Sequence, residues 1–311
     1  MDKGLFAALG IVILTIGMVF AANSFETGTS SDSNTTDVGV NDTGASASYD
    51  QTEHIGCQPG SIDKNGVCKV ATSDQNADIF NATGLKPVVA ENTTLGGTSG
   101  YLVRPADNET YPSVIMIHEW WGLNENIRHM ADILAGHGYT VFAVDLYNGE
   151  VAENSSEAGK LSGAVRSNPD EAVQKMADAT EALKQYEYSN GLVASLGWCF
   201  GGGQSLQLSL SDADLDSTII YYGTLTTNET VLQNIDAPVL GIFGSEDRVV
   251  PVEDVRAFNS TLGDLGIERE VHVYEGAGHA FANPSGESFE PEYTKDAWTK
   301  TLNFLDENLK E

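Results

Sequence analysis

The sequence predicts an α/β domain with a mostly parallel sheet over residues 86–311. Two observations carry that prediction. From about Lys86 onward, short apolar runs alternate with stretches whose apolar residues recur at helical spacing. Parallel strands joined by covering helices leave this trace. In addition, the run 192–196 (LVASL) leads through a glycine-rich turn directly into a helical pattern.

The elements follow in order. Residues 113–118 (SVIMIH) form a continuous apolar run, as in a strand buried on both faces. Ile127, Met130, Ala131 and Leu134 then share a helical face, which Gly136 and Gly138 terminate. The next strand is 140–144 (TVFAV). Val173, Met176, Ala177, Thr180 and Leu183 mark a second helical face. The strand 192–196 precedes a helix over 202–210. Further strands are expected at 218–222, 239–243 and 270–274, and a helix over 292–309 closes the chain. No internal repeat is visible.

Composition narrows the function. Of 311 residues, 41% are hydrophobic, enough for a substantial core. Lys and Arg total 16 against 45 Asp and Glu, a formal charge of −29. Such a surface repels phosphate backbones, which argues against nucleic-acid binding, and it suits a salty or extracytoplasmic setting. Three cysteines are too few for a disulfide scaffold or a four-cysteine zinc site. No His/Cys cluster has ligand spacing, so no metal or organic cofactor is expected.

The N-terminal part points outside the cytoplasm. Residues 4–22 are an uncharged apolar run of 19, preceded by Lys3 and followed by no Lys or Arg before Lys64. At ~1.5 Å per residue that run nearly crosses a ~30 Å hydrocarbon layer. The charge asymmetry leaves the short N-terminus inside and the rest outside. Residues 1–22 therefore read as a single-pass signal anchor in the cell membrane; the alternative is a secretory signal cut after Ala21 or Ala22. Residues 23–85 read as an acidic, Ser/Thr-rich tether with too little apolar mass to fold. Within it Cys57 and Cys68 bracket a turn-rich loop, and export favours a disulfide between them. Glycosylation sequons begin at Asn34, Asn41, Asn81, Asn92, Asn108, Asn154, Asn228 and Asn259.

The chemistry centres on Gly197-Trp198-Cys199-Phe200-Gly201-Gly202. Strand, G-x-nucleophile-x-G-G and helix make the nucleophile elbow of α/β-hydrolases, with cysteine in the serine position. Gly197 and Gly201 relieve the crowded turn. Cys199 falls at a helix N-terminus, whose positive end favours thiolate, and the Phe200 N–H points where an oxyanion forms. In this chain order the base follows the nucleophile. Only His272 and His279 lie downstream, and His279, in a glycine-flanked loop after a strand, is the expected base. The orienting acid should follow the strand 239–243, which makes Asp247 the first choice and Glu246 the second.

Taken together, IHEWWGLNENIR, FAVDLY, GWCFGGG, FGSEDRVVP and GAGHAF resemble, in order, the dienelactone hydrolase family over residues 99–311. The resemblance implies a compact α/β-hydrolase fold with a Cys-His-Asp triad, on Cys199, His279 and Asp247. It also implies that Glu119 sits against the resting nucleophile and helps deprotonate it once substrate arrives, and that the Trp120 N–H is a second oxyanion donor. The family's two carboxylate-binding arginines lack counterparts. One position holds Asn283, and between Asp145 and Val165 the only base is Lys160. This points away from an acidic dienelactone. Trp121, Tyr147, Trp198, Tyr222 and Phe281 are expected to line an apolar pocket or else to belong to the core.

The expected function is hydrolysis of a small-molecule ester or lactone through a cysteine thioester by a membrane-tethered, extracytoplasmic enzyme. Two alternatives remain: a thioesterase or peptidase on the same triad, and a catalytically silent exported surface or binding protein.

Overall fold

The computed structural model describes Val67–Cys68 and residues 76–310. The apolar run 4–22, residues 23–66 and 69–75, the sequons at Asn34 and Asn41, and the proposed Cys57–Cys68 bridge lie outside the described residues or their described side chains. Among the described residues no helix is long and apolar enough to cross a membrane.

One nine-stranded sheet organises the domain. Its strands are β1 (Val67–Cys68), β2 (Val88–Leu95), β3 (Thr98–Pro105), β4 (Tyr111–Ile117), β5 (Thr140–Val144), β6 (Ser189–Trp198), β7 (Ser217–Tyr221), β8 (Val239–Gly244) and β9 (Arg269–Tyr274), in spatial order β1-β2-β3-β5-β4-β6-β7-β8-β9. From β5 to β9 every pairing is parallel, and β1 to β3 join antiparallel at one edge. Around the sheet lie α1 (Glu125–Gly136), α2 (Ser155–Ser167), α3 (Pro169–Lys184), α4 (Phe200–Ser209), α5 (Glu229–Leu232), α6 (Val252–Asp264) and α7 (Pro291–Leu309).

Alternation along the strands divides the core. Val114 and Met116 of β4 pack with α1 and α7, beside Leu134, Trp298 and Leu305. Ile115 and Ile117 face the other way, toward Met176, Ala179 and Leu183 of α3. A third cluster joins Val239 and Phe243 of β8 to Val255, Phe258 and Leu262 of α6. Burial on both faces explains why these parallel strands read as unbroken apolar runs.

The β2–β3 hairpin was not expected from the sequence. Its strand VVAENTTL leaves polar residues exposed, so it lacks an apolar run. The signal it does carry is Gly96-Gly97, at φ 55° and 82°, as the two-residue turn of a tight hairpin requires. The helices α2, α5 and α6 were not expected either. Asn154 caps α2 by accepting from the Glu157 N–H at 3.0 Å, and Asn228 caps α5 by accepting from Thr230 N–H at 3.0 Å. These two sequon asparagines are therefore helix starts as well.

The boundary at residue 86 needs correction. Ala77, Phe80 and Ala82, assigned to the tether, are buried in the core. The Trp298 indole N–H donates to the Phe80 carbonyl at 2.9 Å, and the two rings meet edge to face. The folded unit thus begins before Lys86, because a single aromatic anchor suffices where composition alone looks tether-like.

Candidate active site

The site lies at the carboxyl ends of the parallel strands, where ligands of open α/β sheets gather. β6 ends at Trp198, and α4 begins at Phe200. Cys199 between them has φ 54° and ψ −114°, a strained conformation that only such a turn imposes. Glycine is required beside it. A Cβ on Gly197 would lie 2.1 Å from the Gly201 carbonyl oxygen, and one on Gly201 would lie 2.2 Å from that of Ile117. Gly203 N–H donates to the Cys199 carbonyl at 3.1 Å, closing the first turn of α4.

Three distant side chains meet there. The His279 Nε2 is 3.1 Å from the Cys199 Sγ. The His279 Nδ1 donates to the Asp247 Oδ2 at 2.8 Å. Asp247 is itself held by the Val249 and Val250 N–H groups, which donate to its Oδ1 at 2.7 and 3.0 Å. Glu246, the second choice for the acid, is exposed, whereas the Asp247 side chain is wholly buried. Burial pulls the imidazole of His279 down. Hydrogen bonds to Asp247 and Cys199, with their negative charge, outweigh it and push His279 up to about 10. His272 stays in β9, its Nε2 3.2 Å from the Glu270 carboxylate, away from this group.

The loop after β4 brings Glu119 and Trp120. Glu119 is buried, and burial pushes its carboxyl up to about 7 against the opposing influences of His279 and Asn283. Its hydrogen bond departs from the expectation of the resemblance. The Asn283 amide donates to the Glu119 Oε2 at 2.5 Å, while the Cys199 sulfur is paired with His279. The residue standing at a family arginine position thus ties down the buried glutamate. Asn283 is in turn fixed by Ser285, whose N–H and hydroxyl donate to its Oδ1 at 2.9 and 2.7 Å.

His118 was missed as an organiser. Its Nδ1 donates to the Glu119 carbonyl at 2.6 Å, and its Nε2 accepts from the Leu146 N–H at 3.3 Å. These partners fix one neutral tautomer, and burial pushes its pKa down to about 4. His118 thereby ties the loop after β4 to the loop after β5. In the latter, Asp145 accepts from the N–H groups of Tyr147 and Gly149.

The aromatic residues divide. Trp120 and Trp121 are partly exposed and lie 5.0 Å apart between ring centres. Trp198 and Phe281 are core residues rather than pocket walls: Trp198 packs on Tyr221, and Phe281 packs on Tyr274 and Tyr293. Their apolar bulk fills the α7 side of the sheet. Tyr147 is also buried, and its hydroxyl donates to the Trp120 carbonyl at 3.1 Å. Tyr222 is buried against the His279 ring. Arg166, one residue beyond the 145–165 stretch that lacks arginine, places its guanidinium 5.5 Å from the Phe200 ring centre. Among the described residues no group of three or more His, Cys, Asp and Glu side chains converges to hold a metal ion.

This strand–turn–helix with a hydrogen-bonded cysteine, histidine and aspartate defines an α/β-hydrolase site. The sequence profile of the dienelactone hydrolase family matches residues 98–309. A protein of Aquifex pyrophilus named Protein usf is 33% identical over 217 residues, covering 68% of this chain and 93% of its own. A protein of Aquifex aeolicus, provisionally named a carboxymethylenebutenolidase, is 30% identical over 218 residues, covering 68% and 94%. In structure the chain is similar to P91, a dienelactone hydrolase-like promiscuous phosphotriesterase from metagenomic libraries. The TM-score is 0.65 at 22% identity, covering 71% of this chain and 99% of P91, a likeness of fold. The chain belongs to the dienelactone hydrolase family. It is an enzyme of the carboxylic ester and lactone hydrolase class.

Proposed function

We propose that this protein hydrolyses an ester or lactone through a covalent thioester on Cys199. The observation that carries the reading is the continuous hydrogen-bonded path from Cys199 Sγ through His279 to Asp247, at 3.1 and 2.8 Å. Thiolate and imidazolium form an ion pair, and Asp247 holds the ring and its charge. The sulfur attacks the carbonyl carbon. The Phe200 and Trp120 N–H groups receive the oxyanion; Phe200 is the first residue of α4, where helix N–H groups have no intrahelical acceptor. The C–O bond then breaks, and the departing oxygen takes the proton from His279. Water, deprotonated by His279, attacks the thioester; the C–S bond breaks and the acid leaves.

Asn283 and Glu119 supply a neutral amide and a buried carboxyl where an anionic acyl group would want cations. We therefore assign an acyl portion without its own carboxylate. From the N-terminal apolar run and charge asymmetry we also place the enzyme outside the cytoplasm on a membrane anchor.

The decisive experiment incubates the full chain with aryl esters and lactones before and after iodoacetamide. Complete alkylation of Cys199 should abolish turnover, and activity that survives it would reject the nucleophile. Cys199→Ala should be inactive yet melt like the wild type. Protease treatment of intact cells tests location: digestion of the domain supports the placement, and full protection rejects it.

A further inference from the structure

Tyr222 combines two features that folding alone does not explain. It stands one residue beyond β7, next to the elbow. Cys199 N–H donates to the Tyr221 carbonyl at 3.0 Å, and Tyr222 N–H donates to Ile242 at 2.8 Å. Its backbone sits at φ 37°, a left-handed conformation that is costly for a bulky residue and that concentrates at functional sites. The side chain is 1% exposed. Its ring packs edge-on against the His279 imidazole, with centres 5.2 Å apart, and against Phe281 at 5.8 Å. Among the described residues no protein group is hydrogen-bonded to its hydroxyl. A buried hydroxyl without a partner is a standing penalty, and such a group in a native structure calls for a reason.

The surroundings supply one. Burial, together with the charges of Glu119, Cys199, Tyr221 and Asp247, holds the phenol well above its ordinary pKa. The O–H is therefore present throughout the working range and acts only as a donor or neutral acceptor. The acyl group must enter at Cys199, and its leaving oxygen must reach the Nε2 of His279 to be protonated. Tyr222 packs on that same imidazole.

We propose that Tyr222 is a further catalytic residue, whose hydroxyl donates a hydrogen bond to the leaving-group oxygen of the bound ester or lactone. This rests on the Cys199–His279 reading above. As the carbon–oxygen bond breaks, charge grows on that oxygen and the hydrogen bond strengthens. The transferred proton comes from His279, and Tyr222 keeps its own. Both penalties at Tyr222 then serve a donor held beside the His279 ring, closed to solvent until the bound ester uncovers it.

The test is Tyr222→Phe in the full chain, assayed on a nitrophenyl ester and an alkyl ester of the same acid. Nitrophenolate leaves without help, whereas an alkoxide does not. The variant should lose about 10- to 100-fold in kcat on the alkyl ester with KM little changed. On the nitrophenyl ester it should lose less than about threefold. Alkylation of Cys199 by iodoacetamide should keep its rate, and the Tm should hold or rise, because the unpartnered hydroxyl is gone. Wild-type rates on both esters would overturn the proposal. So would an equal loss on both accompanied by slower alkylation or a lower Tm, which marks a purely structural residue. Cys199→Ala, run alongside, separates the two readings. If it still hydrolyses, the nucleophile assignment fails. If it is inactive while Tyr222→Phe behaves as wild type, only the role of Tyr222 fails.

Discussion

His118 and His279 both stand just past the carboxyl end of a parallel strand, and the fold drives them in opposite directions. His118 is enclosed between a backbone carbonyl and a backbone N–H, and is pushed down to about 4. His279 meets a buried carboxylate and a thiol, and is pushed up to about 10. Burial disfavours the cation at both. The Asp145 charge opposes burial at His118 without overcoming it, whereas hydrogen bonds and charge from Asp247 and Cys199 reverse it at His279. The first histidine is thus held as a neutral strut, while the second is biased toward its charged form.

The comparison breaks most visibly at the reactive end. His279→Ala should lower kcat/KM on an aryl ester by about 10⁴-fold or more. His118 should not serve as the base in its place, so activity in His279→Ala that is lost on further replacing His118 would overturn the distinction. Asp247→Asn should cost about 10²- to 10⁴-fold. It should also shift the alkaline limb of the pH–rate profile downward, because His279 loses the carboxylate that raises it. Linkage has the same sign. The raised pKa of His279 contributes stability that is fully present below about 6.5 and is lost as pH rises through about 10. Melting curves at pH 6 to 11 should show this loss in wild type and less of it in Asp247→Asn.

The strut is sharpened by stability rather than rate. His118→Phe leaves the Leu146 N–H and the Glu119 carbonyl without their partner, and should cost about 2–4 kcal/mol by urea unfolding. Because its folded pKa is depressed, wild-type stability should fall as pH drops from about 6.5 through 4, by on the order of 3 kcal/mol. His118→Phe should lose that acid slope. Glu119 gives a pH effect of similar size and the opposite sign. Its carboxyl is raised from 4.5 to about 7, so its ionisation removes stability as pH rises between those values. Glu119→Gln should flatten that stretch of the stability–pH curve, and an unchanged slope would show that Glu119 is not held protonated by burial.

The two histidines also show how far a sequence reaches. His279 was legible, since chain order, a preceding strand and flanking glycines are all local signals. Asp247 was legible by topology, and its separation from Glu246 came with the N–H groups of Val249 and Val250 that only the folded loop presents. The role of His118 was not legible, because Leu146 lies 28 residues away and nothing in IHEWW names it. The pairing of Glu119 with Asn283 spans 164 residues. Sequence exposed only half of it, as an arginine that was missing.

The amino-acid order by itself determined the parallel α/β layers, the elbow at Cys199 and which histidine meets its sulfur. Apolar period, glycine placement and strand-to-helix succession act within a few residues and survive without coordinates. Tertiary structure alone decided the β2–β3 edge, the anchoring of Phe80 under Trp298, the fate of the aromatic side chains and the unpartnered hydroxyl of Tyr222. Each depends on which distant groups arrive at the same point, and on how completely they exclude water. Local pattern carries no information about either.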